Sequence, residues 1–273
     1  MRYTGAAILL LAGMFAAEAP AAAQAPGDPA QKGSSVTVPS DVVKELSPTG
    51  KLRAAINLGN PVLAQGTPEA PRGVTVDLAR ELARRTSLAL ELVPFAAAGK
   101  VFEALEAGAW DVAFLAIEPV RAAEIAFTAP YVIIEGVYLV PKDSELKTIA
   151  DVDRPGVRIG VNKNSAYDLY LTRTLEHAQL VRGEDGVRLF VDQKLEAAAG
   201  VKQPIAAYAQ KHPEVRVMDG RFMEIRQAMG TPRSRAAAAA YLRTFIEEMK
   251  ASGFVADALK RSSQLDAVVA PGE

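Results

Sequence analysis

The chain has 273 residues, 49% hydrophobic and 23% charged, with a formal net charge of −1. That suits one large domain or two modest lobes, and the near-neutral charge gives no electrostatic footprint for nucleic acid or an anionic membrane surface. With no cysteine and only two histidines, His177 and His212, the sequence excludes disulfides, thiolate metal sites, a cysteine nucleophile, a lipidated N-terminal cysteine and a polyhistidine metal centre.

In chain order, Arg2, the apolar run Ala6 to Phe15 and the small residues Ala21-Ala22-Ala23 predict a signal peptide over 1–23. The run is too short for a bilayer, which needs about 20 apolar residues, so a periplasmic protein secreted through this segment is expected. Residues 24–50 are rich in Pro, Gly, Ser, Ala and Gln and predict a flexible leader, with one short helix at Asp41 to Leu46. A strand follows at Leu52 to Ile56 and stops at the loop Asn57 to Pro61. A helix is predicted over Thr75 to Thr86, a strand at Leu88 to Leu92, a helix over Val101 to Ala107, and a fully buried strand at Val112 to Ile117. This β-α-β-α-β order implies parallel crossovers.

Pro119 and Arg121 open a short helix, and FTAPY at 127–131 leads into a second extended apolar segment. The same grammar then restarts. Val157, Ile159 and Val161 mark a strand, and Asn162-Lys163-Asn164 a loop. Ser165 opens a helix with a capping-box-like Ser-Ala-Tyr-Asp. Short strands are predicted at 179–181, 195–201 and 215–218, a helix face at Val187, Phe190 and Val191, and a helix over Pro204 to Lys211. Two helices close the chain, the first ended by Gly253, and a disordered tail is expected at 263–273.

No dinucleotide fingerprint follows a strand, and no Walker loop, Gly-x-Ser-x-Gly elbow or His-Glu-x-x-His pattern occurs, so no catalytic residue, metal or cofactor is assigned. The candidate ligand groups lie at strand ends, where open α/β sheets bind ligands. Arg121 follows the 112–117 strand, Asn57 and Asn60 the first, and Asn164, Ser165 and Tyr167 the 157–161 strand. Each has a plainer reading. Arg121 could pair with Glu118 or Glu124 along its helix, Ser165 could only cap a helix, and the asparagines could only form turns.

Four segments carry a resemblance: GKLRAAIN at 50–57, GVTVDLARELARRT at 73–86, FEALEAGAWDVAF at 102–114 and IEPVRAAEIAFTAPY at 117–131. In order and spacing the chain resembles, from about 50 to 262, the family 3 extracellular solute-binding proteins of bacterial ABC importers, which include polar amino-acid binders. The resemblance implies an α/β, two-lobed type II periplasmic-binding fold, each lobe a mixed sheet flanked by helices. Lobe 1 would be 51–135 plus 226–262 and lobe 2 138–222, with crossovers near Ile134–Tyr138 and Met223–Gln227.

By the same resemblance Arg121 lies where the family grips a ligand carboxylate. Ala116 falls at a usual Ser or Thr, leaving only its backbone N–H. Asn60 replaces a stacking aromatic, with Phe114 as the nearby substitute, and Asn164 replaces a glycine at the Ser165 helix start. The Asp that reads a ligand ammonium aligns with Lys202, which implies an anionic organic ligand. The function implied is capture of that small ligand for an ABC permease of the inner membrane, by a monomer. A cyclohexadienyl or prephenate-type dehydratase and a ligand sensor for a partner protein are the alternatives.

Overall fold

The computed structural model describes residues 38–272, so the predicted signal peptide and the leader up to residue 37 lie outside the described residues. A helix α1 (Ser40–Leu46) precedes the strand β1 (Leu52–Asn57). A hairpin of β2 (Gln65–Thr67) and β3 (Ala70–Arg72) leads into α2 (Val74–Thr86), β4 (Leu90–Phe95), α3 (Ala98–Glu103), β5 (Val112–Ala116) and α4 (Pro119–Ala122). A 17-residue strand, β6 (Ile125–Pro141), carries the chain to β7 (Arg158–Asn162), α5 (Ala166–Thr174), β8 (Gln179–Gly183), α6 (Gly186–Asp192), β9 (Ala197–Val201) and α7 (Lys202–Lys211). The chain ends through β10 (Val215–Val217), β11 (Met223–Pro232), α8 (Ala236–Ala251), α9 (Phe254–Arg261) and β12 (Val268–Val269).

Ten of these strands form one sheet, with the path β4-β1-β5-β11-β6-β9-β7-β8 and with β10 and β12 on β6. β1 is parallel to β4 and β5, and β7 is parallel to β8 and β9. Between these parallel triplets run β11 and β6, antiparallel to each other from Met223↔Gly136 to Pro232↔Ile125. The first half of β6 thus belongs to the β1 triplet's side, and its second half pairs with β9. Such triplets need their faces covered, and the middle strand of the first is the most buried: β5 is buried at every residue, while the outer strands β4 and β8 are half-buried. Val101 of α3 packs in one apolar cluster with Trp110, Ala113 and Leu115, while Phe190 of α6 and Ile205 of α7 pack in another with Leu195 and Ala198.

The two triplets are tied at their bases by the same device. Asp111, just before β5, accepts from Arg53 of β1 through Nε (3.0 Å), Nη2 (2.9 Å) and the backbone N–H (2.9 Å). Glu196, just before β9, accepts from Arg158 of β7 through Nε (2.9 Å), Nη2 (2.9 Å) and the backbone N–H (2.8 Å).

The short helix expected in the leader is α1, which buries Val42 and Leu46, and Arg235 donates to the Glu45 carbonyl at 2.9 Å. Two expectations change. The tail at 263–273 is not disordered over its described part. β12 pairs with β6 at Val268↔Ile133 and Val269↔Val132, and Ala270 N–H donates to the Tyr131 carbonyl, satisfying backbone groups that an open edge would leave bare. The helix placed at 101–107 starts earlier, at Ala98, because Ala97 is extended and its carbonyl takes the first turn's N–H groups.

Candidate functional site

The carboxyl ends of β1, β4 and β5 face those of β7, β8 and β9 across a cavity of about 500 Å³. That is the size range of small-molecule sites. From one side come Asn57, Asn60, Ala96–Ala98, Leu115, Ala116 and Arg121; from the other come Ser165, Tyr167, Asp185 and the α6 and α7 faces; Ile225 and Gln227 of β11 form the floor.

Arg121 is the pivotal group. It is 0% exposed, held by α4 directly after β5. Nη1 donates to the Ala116 carbonyl at 3.2 Å and Nη2 to the Asn164 carbonyl across the cavity at 2.9 Å, while Nε has no hydrogen-bond partner. Burial lowers its pKa to about 10, an effect partly offset by the nearby Glu118. The charge survives at neutral pH, but no carboxylate is bonded to it. Glu118, the pairing partner considered from sequence, instead accepts from Arg173 Nη1 of α5 at 2.6 Å. Its pKa is raised by burial against the pull of Arg173 and Arg121.

Ser165 caps α5 by accepting from Asp168 N–H at 3.1 Å, and it also lines the cavity. The Tyr167 hydroxyl lies beside Ser165 and the Asn162 backbone, and burial raises its pKa. Asn57 and Asn60 are both turn formers and cavity residues, their Oδ1 atoms accepting from Gly59 N–H (3.0 Å) and Val62 N–H (3.3 Å). Gly59 is required there, since a Cβ would sit 2.4 Å from the Ala96 carbonyl oxygen.

Three predicted site residues do not line the cavity. Lys202 points away, its side chain 54% exposed and its Nζ donating to Glu135 Oε2 at 2.6 Å. The helix after β9 begins at Lys202, two residues before the expected Pro204, so the cavity-facing residue is its neighbour Val201. Side chains alternate along a strand, and a one-residue shift reverses the face. Phe114 is buried on the opposite side of β5, edge-on to Tyr131 with centroids 6.1 Å apart. Asn164 offers its carbonyl to Arg121, while its Nδ2 donates to Glu103 Oε1 at 3.4 Å. Its φ of +59° explains an asparagine where a glycine was expected. Sequence reading missed Val201, Tyr208, Ile225 and Gln227. The rule that ligands meet strand carboxyl ends picks out Val201, but nothing local marks the other three.

Solved structures share this fold. A mutant of ArgBP from T. maritima aligns with a TM-score of 0.69 at 20% identity, covering 81% of this chain and 99% of that one. A solute receptor for L-cysteine of Neisseria gonorrhoeae aligns with a TM-score of 0.69 at 20% identity, over 81% and 92%. An ancestral amino-acid-binding protein, a precursor of cyclohexadienyl dehydratase, aligns with a TM-score of 0.66 at 21% identity, over 80% and 97%. These likenesses establish the type II periplasmic-binding fold. No curated protein sequence matches the chain significantly. The family model for bacterial extracellular solute-binding proteins, family 3, matches residues 52–262. Proteins of that family bind small ligands and work with ABC permeases. With residues 52–262 of the described 38–272 inside that match, and a ligand-sized cavity at the carboxyl ends of both parallel triplets, this chain belongs to the bacterial extracellular solute-binding proteins, family 3.

Proposed function

We propose that the chain is the periplasmic capture component of an ABC importer and that its ligand is a small carboxylate-bearing molecule. The observation that carries this is Arg121: fully buried, charged, lining the cavity, and with Nε unpartnered. A guanidinium so placed suits a carboxylate taken through two parallel N–H donors. The neighbouring Ser165 helix start adds the partial positive charge of unpaired N–H groups. The family alignment anticipated a second cation at Lys202; with Lys202 turned outward, Lys163 and Arg188 are the other cations that line the cavity.

In this reading two lobes, 51–135 plus 226–262 and 138–222, hinge where β6 and β11 cross at Ile134–Tyr138 and Met223–Gln227. Closure sequesters the ligand, and the closed form is presented to the permease as a monomer. The test is a thermal-shift and calorimetric panel of organic acids and L-amino acids on the wild type and on Arg121→Gln. A carboxylate ligand is expected to stabilise the wild type and to lose about 2–5 kcal/mol of binding, roughly 30-fold or more, in the variant. Without ligand the variant should melt within a few degrees of wild type, because Arg121 has no bonded carboxylate to lose. Binding that is indifferent to Arg121→Gln, or a panel in which no carboxylate binds, overturns the proposal.

A further inference from the structure

We infer that the ligand carries a carboxylate and an apolar body but no ammonium group, and that Val201 is the residue that excludes the ammonium. This rests on the carboxylate reading of Arg121 and narrows it.

An ammonium in a cavity that already contains the Arg121 charge needs a carboxylate with no prior claim on it. Two carboxylates line this cavity, and each already accepts hydrogen bonds from α6 through one oxygen. Asp185 Oδ1 accepts from the backbone N–H groups of Val187 (3.0 Å) and Arg188 (3.1 Å) at the start of α6. Asp192 Oδ2 accepts from Arg188 Nε at 3.3 Å, in a pair that stands in solvent. At the end of β9, where a side chain from this wall meets the cavity, the chain presents the isopropyl group of Val201. The surface beyond it is Ile205 and Tyr208 of α7 together with Val187 and Val191 of α6. One face of the Tyr208 ring is already stacked on His212, with centroids 4.0 Å apart, which fixes its orientation.

The polar group left on the floor is Gln227, a buried neutral amide beside Ala116 in register. An amide donates to an oxo or hydroxyl oxygen as readily as it accepts, and it brings no negative charge to balance an ammonium. The chemical class is therefore a 2-oxo, 2-hydroxy or unsubstituted carboxylic acid with a branched or aromatic apolar tail.

Calorimetric titration with matched probes tests this: 4-methyl-2-oxopentanoate against L-leucine, and 3-phenylpropionate against L-phenylalanine, on the full chain and on Val201→Asp. The wild type is expected to bind at least one acid ten-fold or more tighter than its amino-acid counterpart. Val201→Asp is expected to narrow or reverse that ratio. Equal or tighter binding of the amino acids by the wild type overturns the inference, whether or not Val201→Asp folds. If neither pair binds but a polar dicarboxylate such as succinate does, the inference falls and the carboxylate reading stands. If Arg121→Gln leaves every titration unchanged, the carboxylate reading falls with it.

Discussion

Glu81 on α2 accepts from Arg84 Nη2 at 2.7 Å and from Arg85 Nε at 2.8 Å. The hydrogen bond from Arg84, joined by that from Arg85, lowers its pKa from 4.5 to about 2. A carboxylate whose folded pKa is depressed stabilises the fold fully above its unfolded pKa and loses that contribution as pH falls through the folded one. Glu81→Gln should therefore cost stability at pH 7 and flatten the fall in melting temperature between pH 4.5 and 2, with wild type and variant converging at the acid end. The cost should stay under about 1 kcal/mol, since Arg84 is well exposed and solvent screens the pair. Parallel melting curves across that range would contradict the assignment.

The parallel triplets show what an element-level device contributes. Asp111 is 0% exposed and also accepts from Arg235 Nη1 at 2.8 Å, so its carboxylate joins β1 and the start of α8 at one point. Glu196 makes the matching clamp on β7 with 37% of its side chain exposed. Breaking a buried pair strands its partners, and an exposed one leaves them to water. Asp111→Asn should lower the unfolding free energy by about 3–5 kcal/mol, and Glu196→Gln by less than about 1 kcal/mol. Urea unfolding of the two variants decides it, and equal costs would show that burial is not what separates them.

Legibility from sequence followed the same physics. β5 and β7 were readable because strands covered on both faces are near-continuous apolar runs. Neither the β2–β3 hairpin nor β12 was readable, since each is two or three residues long and Pro71 lies within the hairpin. Their pairing is decided by what they lie against. Arg121 and Ser165 were found because strand ends are legible. Lys202 was misplaced because its position was carried over from the family's Asp by alignment, and alignment does not show that its side chain turns outward to Glu135 at the helix start.

Across the whole molecule, the two sides of the cavity are held together by few contacts. Among the described residues they include the Glu118–Arg173 ion pair at 2.6 Å, the Arg121 donation to the Asn164 carbonyl, the Asn164–Glu103 hydrogen bond, and a close backbone approach at Gly99. At Gly99 a Cβ would lie 2.7 Å from that of Asn164, so only glycine lets α3 meet the opposite loop. Glu118 is the more buried partner of the ion pair, so losing Arg173 should be felt in the closed form above all. Arg173→Ala is expected to enlarge the radius of gyration without ligand and to speed ligand release about ten-fold, the equivalent of about 1.5 kcal/mol for a charge-assisted hydrogen bond. Small-angle scattering and stopped-flow release check this, and an unchanged scattering profile would assign closure to the ligand alone.

The position of β11 between β5 and β6 has a consequence for how the chain is completed. The sheet around β7, β8 and β9 draws on one continuous stretch that ends by Val217, including the second half of β6. The sheet around β1, β4 and β5 cannot join β6 until residues 223–232 arrive, and Val268 and Val269 must follow before that edge of β6 is covered. As the chain is made, N-terminus first, the first triplet to appear is thus the last to be finished. Until then β5 and β6 stay open-edged, and a nascent chain in that state carries unpaired strand edges that template pairing with other chains.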